Sequence, residues 1–560
     1  MRCWLRCAAL LAGCAAAAAP WARRKAAPAP PALSPFSAAV EARDFRAAIK
    51  HAPAAYTRWW RRLLRDEPHH VAVETLLIVF LAYVLLGGKR KPKRTSEKLT
   101  DKEIDALVQE WAPEPLVPPP SDAAKALANR RRVVAAADRT GRVVVRPDAA
   151  TSSWAKGAPA NAEGVTALNC GAFDFLAMSG EAAVRDAAAA ALSKYGCGSC
   201  GPRGFYGSID VHEQLEARVA AFAGTEQAIA FSDAASCCTS TVAAFAKRGD
   251  LLLVDDGVCE PLRTGCVLSR AKVLAYRHND VADLRSVMAA VAADDARKKR
   301  APGTQRRFVI CEAISRDHGG DVAPLKEILA LKAEFGYRLI LDESLSWGVL
   351  GATGRGLKEA AGVTDALAVE VTTVDLAPAF GSLGGLCVGS REVVAHQRLS
   401  GAGYCFSAAA PPFYSAAALA ALAVVDGKTG VDRLAALRAN AKGLRAGLRE
   451  AFGASSTSSL VVVGPASPDV PFALLALRRS SSSSDDDAAG DLAALDRVAD
   501  AALAKGYVVA VVVHPNAGGG AAFPALRAKH LALRVCVTAA HDENDVSGLV
   551  RALAAAADAV

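Results

Sequence analysis

Short apolar runs alternate with longer stretches of Ala, Leu and charged residues from about residue 165 onward. Nearly continuous apolar runs of about four to eight residues are typical of strands buried on both faces. The stretches between them have the length and composition of helices. This alternation predicts an α/β protein with a large, mostly parallel sheet covered by helices. The predicted strands of this part are 227–232, 250–256, 307–313, 337–344, 366–373 and 385–390.

The pattern changes after about residue 410, where helical stretches precede further apolar runs at 460–464, 471–477, 507–513 and 531–538. We therefore expect two folded parts, a large domain over 161–405 and a smaller C-terminal α/β domain over 406–560. The run "RRSSSSSDDDAAGD" at 478–491 has almost no apolar residues. This composition predicts a disordered surface insertion within the smaller domain.

One long apolar run lies near the N-terminus. Residues 71–88, "VAVETLLIVFLAYVLLGG", contain a single charge, Glu74. As a helix, this run would extend about 27 Å, which is enough to cross a thin bilayer and predicts a transmembrane helix. The basic run "KRKPKR" at 89–94 follows directly. Positive charge on this flank predicts that the rest of the chain is cytosolic and residues before 71 are lumenal, in an endoplasmic reticulum membrane.

The residues before this run leave two questions open. Residues 1–20 have a basic start, an apolar run and small residues, which is typical of a secretory leader but also of an uninformative Ala-rich terminus. In 45–68, Trp59 and Trp60 lie among arginines. That arrangement fits a helix at the membrane interface and also an ordinary amphipathic surface helix. We thus divide the N-terminal part into 1–70, the span 71–88, and a basic linker and arm over 89–160.

The charge and the cysteine content limit the classes of function that we expect for this chain. The net charge of +9 is modest for 560 residues and much of it is local, and no nucleic-acid-binding motif accompanies it. We therefore expect no nucleic-acid partner. Cys197 and Cys200 have CxxC spacing, but a zinc site needs a second pair and none is evident among the fourteen cysteines. We expect no metal site, and reduced thiols typical of a cytosolic domain.

Three motifs carry a family resemblance. They are "KYGCGSCGPRGFYGSIDVHEQLEARVAAFAGTEQAIAFS" (194–232), "LDESLSWGVLGATGRG" (341–356) and "HQRLSGAGYCFSAAAPP" (396–412), with the pair Gly384-Gly385 between the last two. Their order and spacing resemble the α-oxoamine synthases, which belong to the fold type I pyridoxal 5'-phosphate (PLP) enzymes. The resemblance covers roughly 110–560. It implies the fold type I architecture and condensation of an amino acid with an acyl-CoA, with release of CO2 and CoA.

The resemblance also shows what this chain lacks. The family's Schiff-base lysine lies six residues before the first Gly of the Gly-Gly pair, and that position is Pro378. The family's stacking histidine corresponds to Cys259, and a second histidine corresponds to Leu345. The phosphate turn, usually Gly followed by an aromatic residue, is Ala234-Ala235. Proline has no nucleophile, so we predict that this chain holds no PLP covalently and has no catalytic residue of its own.

Other positions match the family. Asp342 occupies the position that would pair with the pyridine nitrogen, and Arg534 lies in the region that holds a substrate carboxylate. For both, a purely structural role is the alternative. Fold type I active sites form between two chains, which implies that Arg203, in its Gly-rich loop, and Cys259 border a shared interface. The two remaining histidines in family motifs, His212 and His541, are expected to be structural.

Three hypotheses for function follow. In the first, this chain is the lysine-free subunit of a membrane-anchored heterodimer whose lysine-bearing partner holds PLP, with small regulatory membrane subunits and membrane lipid as further partners. In the second, it is a non-enzymatic homo-oligomeric scaffold or regulator, which the altered phosphate turn favours. In the third, it is an active synthase with relocated chemistry. The absence of lysine from 359 to 427 argues against the third.

Overall fold

The computed structural model describes residues 44–66, 133–134, 142–146, 165–301, 303–365, 367–453, 456–464, 467–478, 488–513 and 531–558, together with a few single positions before 110. The chain divides into two compact units, Met1–Val117 and Pro118–Val560. In the first unit, the principal described element is helix α1, Phe45–Asp66. All elements that follow belong to the second unit.

A seven-stranded sheet forms the centre of the second unit, in the order β4-β10-β9-β8-β7-β5-β6. Strands β5 to β9 run parallel, whereas β10 pairs antiparallel with both β9 and β4. Nearly every residue of the central strands is buried, as expected for a sheet covered on both faces. The strands are β4 Gln227–Phe231, β5 Leu251–Asp255, β6 Lys272–Tyr276, β7 Arg307–Glu312, β8 Arg338–Asp342, β9 Val371–Asp375 and β10 Gly385–Gly389.

Helices connect these strands and cover the sheet. Two apolar clusters, one on each face, form the main core and contain Leu253, Val309 and Leu341 on one side and Leu252, Ile310 and Ile340 on the other. The helices are α2 Ala182–Tyr195, α3 Asp210–Ala223, α4 Ala234–Phe245, α5 Glu260–Ser269, α6 Val281–Lys298, α7 Leu325–Phe335, α8 Leu357–Ala360, α9 Leu376–Phe380, α10 Arg391–Ser400, α11 Ala402–Cys405, α12 Pro412–Val425 and α13 Lys428–Phe452.

Two four-stranded sheets complete the unit. One has the order β11-β12-β15-β14 and is antiparallel, and the other has the order β1-β2-β3-β13. Because β13 pairs with β3, the C-terminal part is joined by hydrogen bonds to residues just before α2. These elements are β1 Val133–Val134, β2 Arg142–Arg146, β3 Val165–Asn169, β11 Leu460–Val463, β12 Phe472–Leu477, α14 Ala488–Ala504, β13 Tyr507–Val508, β14 Ala510–Val513, β15 Leu531–Cys536 and α15 Glu543–Ala557.

The α/β class and the mostly parallel sheet are confirmed, and most predicted strands match the observed ones to within two residues. The run 366–373 is the exception, because the strand begins at Val371. The predicted insertion 478–491 lies mainly outside the described residues, and its end, from Ala488, begins α14.

The N-terminal membrane span stays a prediction. Most of 71–88 lies outside the described residues, and only 76–79 and Leu81 are seen, as helix. Within the part of the chain that the structure describes, no helix is both long and apolar enough to cross a bilayer.

Candidate functional site

Carboxylates line one edge of the central sheet. Strands β5, β7, β8 and β9 each end on an acidic residue: Asp255, Glu312, Asp342 and Asp375. Parallel strands bring their carboxyl ends together, which is where α/β folds build their binding sites. In the register of the sheet, Glu312 lies opposite Asp342, and Asp342 lies opposite Thr373. All four carboxylates therefore belong to neighbouring strands, in the order β5, β7, β8 and β9, and Glu312, Asp342 and Asp375 define the candidate site.

Asp342, the predicted partner of a pyridine nitrogen, is engaged within its own chain. Its Oδ1 accepts from the backbone N–H of Ser344 at 3.1 Å. Its Oδ2 accepts from the hydroxyls of Thr373 and Ser344 at 2.7 and 3.0 Å and from the Cys238 thiol at 3.4 Å. The side chain is 4% exposed. These four hydrogen bonds tie Asp342 to β9, to α4 and to the residues after β8, and only Oδ1, which accepts from a single donor, keeps acceptor capacity.

The site also holds a cation that the sequence motifs do not indicate. Arg316 follows β7 by four residues, and its guanidinium lies 5.5 Å from the ring centre of Phe173. Burial lowers the pKa of Arg316, but the nearby Cys259, Glu312, Asp375 and Asp342 together raise it above its usual value. These neighbours include the positions that the family resemblance assigns to the ring stack and the ring nitrogen.

Glu312 was likewise not singled out from the sequence. Burial, with Asp317 and Asp342 nearby, raises the pKa of Glu312 well above its usual range, and its Oε2 has no hydrogen-bond partner among the described residues. Burial also raises the pKa of Asp375, and the positive charge of Arg316 reduces this rise. An acidic residue at each of several strand ends is the signal that could have pointed to this group, since sequence reasoning used only Asp342.

The segment that follows β9 forms a short helix instead of the predicted turn. Residues 376–380 form the short helix α9, whose N-terminus is capped by Asp375 accepting from the N–H of Ala377 at 2.9 Å. Pro378 lies inside it and is buried, and its carbonyl accepts from the N–H of Phe175 at 2.9 Å. Gly381 then adopts a φ of 58°, which favours glycine. Pro378 thus has a packing role and supplies no reactive group.

Helix α4 begins at the pair Ala234-Ala235, where the family binds phosphate. A helix N-terminus attracts anions through its free N–H groups. Here the carboxylate of Asp233 already occupies that end, accepting from the N–H of Ser236 at 2.7 Å and from its hydroxyl at 2.5 Å. A phosphate would meet a negative charge and a donor that is already used.

The two positions that replace the family's histidines are both buried. Cys259 is 8% exposed and precedes α5, and burial raises the pKa of its thiol well above its usual value, with Glu312 and Asp342 adding to the shift. Leu345 is 2% exposed and packs in the main core. Neither side chain can stack on or hydrogen-bond a cofactor ring as an imidazole does.

Arg203 is held inside its own chain. It makes a bidentate ion pair with Glu216, at 2.8 and 3.0 Å, and its Nε donates to the Ser208 hydroxyl at 3.0 Å. Only 7% of Arg203 is exposed. The arginine therefore fixes the loop that contains it, and its predicted position at an interface stays a prediction. The same loop exposes Phe205 and Tyr206, each 76% accessible to solvent.

Arg534 also has partners within the chain. It extends from β15, donates twice to the carbonyl of Gly171 at 3.1 and 2.8 Å, and lies 4.2 Å above the ring centre of Phe173. Phe173 thus has two guanidinium groups near its ring, those of Arg316 and Arg534. The structural alternative for Arg534 accounts for these contacts, and a substrate role stays a prediction.

Both family histidines are buried. His212 accepts at Nδ1 from the N–H of Ile209, and its Nε2 donates to the carbonyl of Ala410 at 2.8 Å. Burial lowers the pKa of His212, which favours the neutral ring. His541 is 5% exposed and its Nδ1 faces the N–H of Thr538 at 3.4 Å. These contacts agree with the structural roles expected for both residues.

These residues do not fit PLP. The amine that would bind it is replaced by Pro378, the carboxylate Asp342 is already engaged by four donors, and the phosphate position is occupied by Asp233. A cavity of about 430 Å³ adjoins α9, lined by Phe173, Ala377, Ser382 and Tyr414 among others. No lysine, histidine or arginine is among its described lining residues. The chain therefore has the backbone framework of such a site but lacks the side chains that would bind the cofactor.

Restoring the lysine alone should not restore cofactor binding. We expect Pro378→Lys to show the same absorbance spectrum with PLP as the unaltered chain, because the stacking and phosphate positions remain unsuitable. Borohydride reduction followed by peptide mass spectrometry would locate any Schiff base. Thermal denaturation verifies that the variant is folded. A reduced PLP adduct on the new lysine at stoichiometric yield would contradict this account of the site.

His541 predicts a pH dependence of stability. Burial lowers its pKa to about 4 in the folded chain, against about 6.5 in the unfolded chain. Between these values the unfolded state binds more protons, so stability is lost as the pH falls from about 6.5 to about 4, by up to about 3 kcal/mol. Urea denaturation over this range, compared with that of His541→Asn, should show a shallower pH dependence in the variant. Identical curves would contradict the prediction.

Large exposed apolar side chains occur on the Arg203 loop and on the segment 399–406. Besides Phe205 and Tyr206, Leu399 and Phe406 are 86% and 88% exposed. The two segments that contribute them are joined, because the N–H of Ala409 donates to the carbonyl of Gly201 at 2.9 Å. We call Phe205, Tyr206, Leu399 and Phe406 the aromatic surface. Clustered exposed aromatic residues are typical of protein-protein contacts.

Comparison with known proteins shows to which protein family the chain belongs. The family model "Aminotransferase class I and II" matches residues 163–553, and the chain belongs to this family. Within it, the chain is similar to "Long chain base biosynthesis protein 1b" of Oryza sativa subsp. japonica, with 34% identity over 477 residues, 85% of this chain and 89% of that protein. It is also 35% identical to "Serine palmitoyltransferase 1" of Dictyostelium discoideum over 403 residues, 72% of this chain and 78% of that protein. These relatives confirm the resemblance drawn from the motifs.

Solved structures agree on the fold. A serine palmitoyltransferase from S. paucimobilis, solved with a PLP–myriocin aldimine, superposes with a TM-score of 0.63 at 22% identity, covering 82% of this chain and 98% of that one. The enzyme from Sphingomonas wittichii gives a TM-score of 0.62 at the same identity and coverage. This similarity confirms the fold type I PLP transferase architecture.

Proposed function

We propose that this chain is the lysine-free, long-chain base 1 type subunit of a heterodimeric serine C-palmitoyltransferase. The complex joins L-serine to palmitoyl-CoA, giving 3-ketosphinganine, CO2 and CoA, the first step of sphingolipid synthesis. In this proposal the partner is the lysine-containing long-chain base 2 subunit, which binds PLP covalently. This chain stabilises and anchors that partner and completes its active site.

One observation carries the proposal. The chain has the fold and motifs of its serine palmitoyltransferase relatives, but the residues at its own site do not fit the cofactor. A chain with this combination can serve the reaction only through the pocket of another chain. The aromatic surface supports this view, because large exposed aromatic side chains on a loop that Arg203 fixes in place suit a stable partner contact.

The proposal includes a location. The apolar run 71–88 and its basic flank 89–94 would anchor the complex in the endoplasmic reticulum membrane as a single span, with the main domain in the cytosol. Small regulatory membrane subunits would have their place at such an anchor.

Co-purification tests the proposal. The tagged chain is expressed alone and together with a lysine-containing member of the same family. The purified pair should show the absorbance of a PLP Schiff base and convert serine and palmitoyl-CoA to the ketone product. The chain alone should show neither property.

A matched control sharpens this test. The partner carries an alanine in place of its own Schiff-base lysine, which should leave the pair assembled but colourless and inactive. Two results would exclude the proposal. One is a Schiff-base absorbance band in this chain alone, and the other is that no lysine-containing family member co-purifies with it. The second result, with self-association, would instead support a homo-oligomeric scaffold.

A further inference from the structure

Helix α1 has two chemically distinct sides. It runs from Phe45 to Asp66 and belongs to a compact unit of its own, separate from the sheet-containing unit. Ile49, Ala52, Tyr56 and Trp59 follow one another at spacings of three or four residues. This spacing brings them to a single face of a helix. The helix therefore has a continuous apolar stripe along about half of its length, from Ile49 to Trp59.

This apolar stripe faces solvent. Ile49 is 74% exposed, Tyr56 58% and Trp59 48%. The rings of Tyr56 and Trp59 lie side by side, with centroids 5.9 Å apart. A helix that packed on a protein core would bury such residues. An exposed stripe of this size costs free energy in water and indicates that another apolar phase covers it.

The opposite side is strongly cationic. Arg58 and Arg61 follow Tyr56 by two and five positions, which places them about half a turn away from the stripe. The helix contains six lysine or arginine residues, all exposed, and its one acidic residue is the last, Asp66. The basic residues are Arg46, Lys50, Arg58, Arg61, Arg62 and Arg65.

We propose that α1 lies in the plane of a membrane surface containing anionic lipid, with the Ile49–Tyr56–Trp59 stripe in the acyl region and its arginines at the headgroups. An exposed apolar stripe with Trp and Tyr, opposite a face of arginines, has the properties of an interfacial helix. Tyrosine and tryptophan favour the depth where hydrocarbon meets headgroups, and long arginine side chains reach back toward water. The positive charge complements anionic lipid.

The position of α1 in the chain favours lipid over other anions. The predicted span 71–88 begins five residues after Asp66. Four intervening residues extend at most about 15 Å, so a chain inserted at 71–88 keeps α1 beside the bilayer surface. A nucleic acid would satisfy the arginines but would leave Ile49 and Tyr56 in water. The inference concerns a segment outside the catalytic fold and does not rest on the proposed function.

Hydrogen exchange of the full chain in vesicles tests the proposal. The chain is reconstituted in vesicles of phosphatidylcholine and in vesicles of phosphatidylcholine mixed with phosphatidylserine. Amides of 45–66 should exchange about tenfold more slowly in the mixed vesicles, and high salt should reduce the difference. Arg58→Glu/Arg61→Glu/Arg65→Glu should abolish the difference. The matched variant Arg58→Lys/Arg61→Lys/Arg65→Lys, which keeps the charge, should retain it.

A second measurement reports on the apolar stripe. Phosphatidylcholine with brominated acyl chains, added to the mixed vesicles, should quench the fluorescence of Trp59, obtained as the difference between the chain and Trp59→Phe. Exchange that is equally fast in both vesicle types, or a Trp59 that is not quenched, would overturn the proposal. So would slow exchange that appears only when a lysine-containing partner is present and is the same in both lipids, since a protein contact would then cover the helix.

Discussion

Replacing Phe205 and Tyr206 together by glutamate is expected to weaken the association of this chain with a lysine-containing partner more than about hundredfold. Both side chains are 76% exposed, so they contribute little to the fold of the isolated chain. Buried aromatic anchors at protein interfaces commonly contribute about 2 kcal/mol or more each, and a carboxylate in their place would be desolvated without a partner. Co-purification yield and a titration by light scattering measure the loss.

The activity of the pair should decrease because less of the pair is assembled. At subunit concentrations well above the weakened dissociation constant, turnover should return toward that of the unaltered pair unless these residues also touch substrate. Val431→Glu is the matched control, since Val431 is 55% exposed on α13 and lies outside the aromatic surface. Unchanged affinity in the double glutamate variant would exclude the aromatic surface as the partner contact.

Arg316→Met is expected to destabilise the folded chain by about 3 kcal/mol at neutral pH. The positive charge of Arg316 opposes the rise in pKa of buried Glu312 and partly buried Asp375, and its removal leaves both carboxyl groups without that charge. Loss of one partner from a buried charge group typically costs about 3–5 kcal/mol. We take the lower end because Arg316 is only partly buried. Urea denaturation at neutral pH measures the effect.

The pH dependence distinguishes charge from packing. Without the cation, the pKa values of Glu312 and Asp375 in the folded variant rise further, so the stability lost at neutral pH is regained as the pH falls and these two groups protonate. The double variant Arg316→Met/Asp375→Asn should recover part of the loss at neutral pH. A loss that is equal at neutral and acidic pH, or no loss, would contradict the electrostatic role.

The sequence predicted the central sheet well because its strands are buried on both faces and appear as apolar runs. Strand β6, Lys272–Tyr276, was missed, since it is an edge strand with one exposed and three partly buried residues. Helix α9 was also missed. A proline between small residues resembles a turn, and only the cap from Asp375 and the surrounding packing make the segment helical.

The candidate site was predicted in part. The motif order located Pro378, Cys259, Leu345 and Asp342, because each lies at a fixed distance from a Gly-rich or strand-end signal. The four donors to Asp342 come from α4, β9 and the residues after β8. Arg316 reaches the site from a loop with no motif, so its position could not be derived from spacing. These contacts join residues far apart in sequence, which single-sequence patterns do not encode.

The carboxylate of Asp233 at the start of α4 affects the number of PLP molecules that a pair of chains can bind. In a heterodimer of the proposed kind, one of two equivalent pockets carries its own anion where the cofactor's phosphate would bind. Such a pair should saturate at one PLP for every two chains, and a carbonyl-reactive inhibitor should titrate half the subunits. A symmetric homodimer of the same fold would take up twice as much. Cofactor counting therefore distinguishes the mixed assembly from a dimer of the partner alone.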